Sequence, residues 1–99
     1  MPRNSDSSVL ICTGMEGVNA EIATRCIKEG FGLVTVVKSF QFFHRALLAL
    51  SPGLVILGPR WKMGEYIALI RKECGSKYKA YHPSMPEVMY VDRNRQIDK

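Results

Sequence analysis

Three short and almost uninterrupted apolar runs alternate with helical patterns along most of the chain. The runs cover residues 9–12, 33–37 and 54–57, and each has the length of a strand. Strands without polar alternation are typical of a parallel sheet that is covered on both faces. The order therefore predicts an α/β domain with helices on both faces of a mostly parallel sheet of four or five strands. Because crossovers between parallel strands are right-handed, we expect the strand order 2-1-3-4.

The segments after the runs have the apolar spacing of helices. At the start of the first helix, Thr13 and Glu16 have the form of a capping box. The residues predicted to form its buried face and the flank of that face are Val18, Ile22, Cys26, Ala23 and Ile27.

The second helix, residues 40–50, is apolar almost all round and follows Ser39, a typical capping residue. A helix of this kind must be covered on more than one side. A third helix is predicted from about Lys62 to Cys74, with Gly75 as its stop.

The pattern weakens after Gly75. Residues 78–81 and 88–91 are candidates for the fourth and fifth strands, and we expect the last strand to lie at an edge. Residues 1–8 and 93–99 are predicted to be flexible tails, so a single domain covers residues 9–92. Too few residues follow Gly75 for two further strand-helix units, so the fold is expected to be truncated at its C-terminal side. We therefore expect a homodimer or a protein partner to cover the exposed flank.

Composition narrows the class of protein. The chain has 99 residues, a net charge of +5 and three cysteines, Cys12, Cys26 and Cys74. They form no CxxC pair, so we expect reduced thiols, no metal site and no cofactor. The polar start and the lack of a long apolar run predict a cytoplasmic location and no membrane contact. Residues 60–79 contain six basic and two acidic side chains, so a small nucleic-acid-binding protein is one alternative.

The carboxyl ends of the strands are the expected functional edge of such a sheet. Trp61 lies between two cations there, which is typical of a contact surface. The residues assigned to this strand-end surface are Lys38, Gly58, Arg60, Trp61, Lys62, His82 and Ser84.

Residues 9–37 and 51–73 resemble the receiver domain of bacterial response regulators, in hydrophobic spacing and in the proline before the third strand. The resemblance implies a flavodoxin-like, three-layer sandwich. Receivers carry an acidic pair after the first strand and a phosphate-accepting aspartate after the third. Here the matching positions are Thr13, Gly14 and Gly58, and none of them offers a carboxylate for Mg²⁺ or for phosphate. Ser84 or Lys38 stands near the family's switch hydroxyl or lysine.

The loop Cys12-Thr13-Gly14-Met15-Glu16-Gly17 resembles that of the IIB phosphocarrier subunits of sugar phosphotransferase systems. That resemblance implies a phosphocysteine at Cys12, with Thr13, Gly14 and Gly17 as the phosphate loop. A thiolate at a helix N-terminus has a lowered pKa and is nucleophilic. The loop is shorter than the family's, however, and it places Glu16 where phosphate would bind.

The preferred interpretation is a non-catalytic, receiver-like module that is not phosphorylated on aspartate. It would act through protein–protein contacts, as a homodimer, in signalling or transcriptional regulation. The phosphocarrier with Cys12 and the basic nucleic-acid-binding protein are the alternatives.

Overall fold

The computed structural model describes residues 8–75, 85–92 and 97–98. Strands and helices alternate through them as the apolar runs predict. Between the third strand and the third helix the chain forms a short 3₁₀ turn, Arg60–Lys62. The elements are β1 (Ser8–Cys12), α1 (Glu16–Lys28), β2 (Leu33–Val36), α2 (Phe40–Leu50), β3 (Leu54–Leu57), α3 (Gly64–Cys74), β4 (Glu87–Val91) and β5 (Ile97–Asp98).

The strands form one sheet in the order β2-β1-β3-β4-β5. The first four are parallel, and β5 is antiparallel to β4. The predicted order 2-1-3-4 is confirmed. The strand formed by residues 87–91 takes the fourth place and does not lie at the edge as expected, because β5 pairs with it. The strand predicted at 78–81 lies outside the described residues. Residues 97–98 form a strand inside the segment predicted as a tail.

Helices cover both faces of the sheet, which gives the three-layer α/β architecture of a flavodoxin-like domain. Alternate residues of each strand face opposite layers. Val9 and Ile11 pack with α1, through Val18, Ile22 and Cys26. The other face carries the larger core, which joins the sheet to α2 and α3 through Leu10, Val55, Leu57, Phe43, Leu47 and Ile70. Ile27, predicted beside the buried stripe of α1, is instead 64% exposed, because it has turned past the edge of that face.

Helix α2 begins as predicted, since the Phe42 N–H donates to the Ser39 Oγ at 3.3 Å. Phe43 and Leu47 are completely buried. Tyr66 of α3 contacts the rings of Phe40 and Phe43 edge to face, with centroids 5.1 and 5.0 Å away. The sheet and α3 thus cover two sides of α2. A third side, which includes Phe42, remains exposed.

Candidate functional site

The carboxyl ends of β1, β2 and β3 meet at one edge of the sheet, where the sequence placed its candidate residues. A small crevice of about 220 Å³ lies there, lined by Gly14, Glu16, Asn19 and Lys38. The Lys38 ammonium and the Glu16 carboxylate form an ion pair across it at 3.1 Å. Both side chains are largely exposed, so the pair adds little to stability. The ion pair nevertheless neutralises the carboxylate of Glu16, which directly follows the loop after β1.

A buried pair of polar side chains, Thr13 and Asn19, fixes the loop after β1. The Asn19 Oδ1 accepts hydrogen bonds from the Thr13 N–H at 3.1 Å and from the Thr13 hydroxyl at 2.5 Å. The Met15 N–H donates to the Thr13 Oγ1 at 3.1 Å. Asn19 was not among the residues predicted from the sequence. Its position three residues before Ile22 and seven before Cys26, on the buried stripe, was the available signal.

The predicted capping box is wrong. Helix α1 begins at Glu16, and its N-cap residue Met15 makes no side-chain cap. The Thr13 side chain turns inward to Asn19, and the Glu16 carboxylate pairs with Lys38. Both groups of the expected box are therefore engaged elsewhere.

Gly58 lies where the loop after β3 meets the loop after β1, and it leaves no open cleft between these two loops. A Cβ atom at this position would lie 2.3 Å from the Thr13 carbonyl oxygen and 2.8 Å from the Met63 Cε. Gly58 is buried, which corrects its assignment to an exposed contact surface. The two loops touch through backbone at the place where the receiver resemblance puts the phosphate-accepting side chain. Any side chain at position 58 would have to separate them.

Cys12 lies in the core and not in an open loop. Its side chain is 2% exposed and belongs to the cluster under α2 and α3. Burial raises the pKa of the Cys12 thiol, and hydrogen bonding with the Tyr66 hydroxyl offsets this only in part. The thiol is therefore protonated at neutral pH and is a poor nucleophile.

Two amides of the loop that follows Cys12 are bonded within the protein. The Thr13 and Met15 N–H groups are already bonded to Asn19 and Thr13. Gly14 has φ +76°, which explains a glycine in this turn. Gly17 lies inside the first turn of α1, with open space where a Cβ would be. Packing therefore does not require glycine at position 17.

The 3₁₀ turn presents the basic and aromatic part of the strand-end surface. Arg60, Trp61 and Lys62 are all exposed, and Trp61 is 68% exposed. The Arg60 guanidinium lies 4.8 Å from the centre of the Tyr90 ring, and the Lys62 ammonium lies 4.9 Å from that of Trp61. The turn thus exposes all three of these consecutive residues at the strand-end edge. His82 and Ser84 lie outside the described residues.

Within residues 8–75 and 85–92, no three His, Cys, Asp or Glu side chains cluster as metal ligands would. No helix in the described part of the chain is long and apolar enough to cross a membrane.

The architecture and its strand-end edge define the chain as a flavodoxin-like α/β domain with a closed cleft. No protein-family model matches the chain, and comparisons with curated proteins and with solved structures find no match either. Any functional assignment therefore depends on this chain's own geometry and chemistry.

Proposed function

We propose that the chain is a non-catalytic, receiver-like module that acts through protein–protein contacts in signalling or transcriptional regulation. It is not phosphorylated on aspartate. The observation that carries the proposal is the backbone contact of Gly58 with the Thr13 carbonyl. That contact fills the position at which a receiver needs a carboxylate and space for a phosphoryl group.

The charges around the cleft support the same proposal. A receiver site gathers several carboxylates so that they can hold Mg²⁺. Among the residues that line the crevice here, Glu16 is the only acid, and it is paired with Lys38. The donor set does not fit a divalent cation.

Exposed apolar side chains support a role in protein contacts. Leu33, Val36, Phe42 and Leu48 on β2 and α2 are all more than a third exposed, as is Trp61 at the strand-end edge. Large exposed apolar side chains that lie together are typical of protein interaction surfaces.

The two alternatives receive less support. A phosphocysteine needs an accessible thiolate, whereas Cys12 is buried with a raised pKa. Two of the neighbouring amides, those of Thr13 and Met15, are also already bonded. A nucleic-acid surface needs cations that are free to reach phosphates. Arg60 and Lys62 lie against aromatic rings instead.

Intact-mass measurement tests the proposal. The protein is incubated with acetyl phosphate, and separately with the carrier proteins of a phosphotransferase cascade. We expect an unchanged mass in both. A phosphate adduct that Cys12→Ser abolishes and Cys26→Ser retains would overturn the proposal in favour of the phosphocarrier. Sedimentation at micromolar concentration tests the expected homodimer, which a single species of 11.2 kDa would exclude.

A further inference from the structure

An apolar groove of about 620 Å³ lies between the edge strand β2 and the helix α2. Leu33, Thr35 and Val37 line it from the sheet side, and Phe42, Ala46 and Ala49 line it from the helix. Leu33 and Phe42 are about half exposed. The groove is therefore an accessible apolar surface that runs beside the edge strand β2.

The outer edge of β2 carries main-chain groups that point away from the sheet. The Val37 N–H donates to the Ile11 carbonyl at 2.9 Å, so the main chain of residue 37 faces β1. Main-chain direction alternates along a strand, so the N–H and carbonyl groups of Val34 and Val36 face outward. No described strand pairs with that edge.

Natural edge strands are usually protected by a charge, a proline, a bulge or a covering segment. The residues of β2 are Leu-Val-Thr-Val, with no charge and no proline, and they pair with β1 in continuous register. On the opposite side of the sheet, β5 covers β4. Strand β2 is thus an unpaired edge, among the described residues, that could accept another strand.

The charged groups on the groove all have the same sign. Lys38 and Arg45 are its only charged lining residues within the described part of the chain, and both are exposed. Lys38 pairs with Glu16 at the solvent-exposed surface. No described residue forms an ion pair with Arg45. A ligand with carboxylates would complement this rim.

A second copy of the chain fits the groove less well. A symmetric antiparallel pairing of β2 with its copy would centre on Thr35. Thr35 and Arg45 line the same groove, so that pairing would place the Arg45 cations of both copies on the same face of the joined sheet, with no carboxylate among the described groove residues to balance them.

From these observations we propose that an extended, acidic and apolar segment of a partner protein docks as an added strand along β2. Its main chain bonds to Val34 and Val36, its apolar side chains fill the groove against α2, and a carboxylate pairs with Arg45. This inference rests on the proposed function as a protein-contact module, and it names the chemistry of the partner.

Binding of a labelled peptide tests the inference. The probe is a capped Glu-Glu-Val-Thr-Val-Thr-Val-Glu-Glu peptide, whose paired glutamates place a carboxylate on each face of the strand. Its control has lysine at every glutamate position. We expect the glutamate peptide to bind in fluorescence anisotropy and to bind more weakly as salt rises, because the exposed charges are screened. Hydrogen exchange of the Val34 and Val36 amides should slow on binding.

Arg45→Glu should weaken binding about tenfold, because one charge-assisted pair is replaced by a repulsion. Arg71→Glu, at an exposed position of α3, makes the same charge change outside the groove and should leave binding unchanged. Equal binding of the lysine peptide, or binding without protection at Val34 and Val36, would overturn the inference.

Failure of both peptides would also overturn it. If the chain then sediments as a dimer that Phe42→Glu dissociates, a second copy is the occupant of the groove. The proposed function is tested separately, because a phosphate adduct on Cys12 would be detected by intact mass without any peptide and would refute it.

Discussion

Replacing Gly58 by alanine is the sharpest test of the closed cleft. The added Cβ would lie 2.3 Å from the Thr13 carbonyl oxygen and 2.8 Å from the Met63 Cε. The Met63 methyl is the end of a flexible side chain and can move. The Thr13 carbonyl is backbone, and Asn19 holds that residue by two hydrogen bonds. The backbone at Gly58 is not in the left-handed region, so the cost arises from the collision and not from backbone conformation.

The expected magnitude follows from that distance. A carbon atom normally approaches a carbonyl oxygen to about 3.3 Å, so the two loops must separate by roughly 1 Å. Forcing an extra methyl group into a packed site costs about 1–3 kcal/mol. Because the opposing atom is fixed backbone, we expect a loss of about 3 kcal/mol in the free energy of unfolding. For a domain of this size that loss lowers the melting temperature by about 15 °C.

Urea unfolding followed by far-ultraviolet circular dichroism measures the loss. Gly17→Ala is the matched control, because its Cβ would meet open space inside α1. That variant should be neutral or more stable by up to about 1 kcal/mol, since alanine favours helix more than glycine does. A Gly58→Ala protein within about 0.5 kcal/mol of the wild type would show that the loops yield. The contact of Gly58 with Thr13 would then not hold the cleft closed.

Three further perturbations probe the same edge of the sheet. Asn19→Ala removes the acceptor of the buried Thr13 N–H, whereas the Thr13 hydroxyl keeps the Met15 carbonyl at 3.2 Å as a second acceptor. The substitution should cost about 1–3 kcal/mol in urea unfolding, and a loss below about 0.5 kcal/mol would contradict the role given to this pair. Burial raises the pKa of the Cys12 thiol above its ordinary value of 9.0, so above about pH 9 the folded chain keeps a proton that the unfolded chain loses. The melting temperature should therefore fall as the pH rises above about 9, and it should fall less in Cys12→Ala. Identical pH curves for the two proteins would contradict that. Lys38→Met should change stability by less than about 0.5 kcal/mol, because the pair with Glu16 is exposed, and a larger loss on thermal melting would show that the pair is structural.

The parallel core was predictable because its strands are buried on both faces. Runs such as residues 54–57 contain no polar residue, and the right-handed crossover then leaves few topologies. The last strands were harder. The residues of β4 alternate in burial less clearly, from exposed Glu87 to buried Val91. The pairing of β5 with β4 involves only Tyr90 with Asp98 and Val91 with Ile97, which is too short for a periodicity signal.

The candidate site was predictable in its location but not in its contacts. Parallel topology alone brings residues 12–17, Lys38 and residues 58–62 to one edge. Whether Thr13 would cap α1 or turn inward depended on Asn19, which offers an acceptor inside the fold. The contact of Gly58 with Thr13 joins two loops that are distant in sequence. Local patterns carry no information on such a contact.

Helix α2 and strand β2 present the same physical problem at the same place. The apolar sequence of α2 requires cover on more sides than the sheet and α3 supply. The uncharged outer edge of β2 is not paired by any of the described residues, and edges of this kind are usually protected in proteins. The exposed side of α2, at Phe42 and Ala49, faces the same groove as β2. One extended segment laid along β2 would cover both elements, whereas two unrelated partners would each lose conformational entropy separately on binding. Both features are therefore consistent with the single docking site that is proposed along β2.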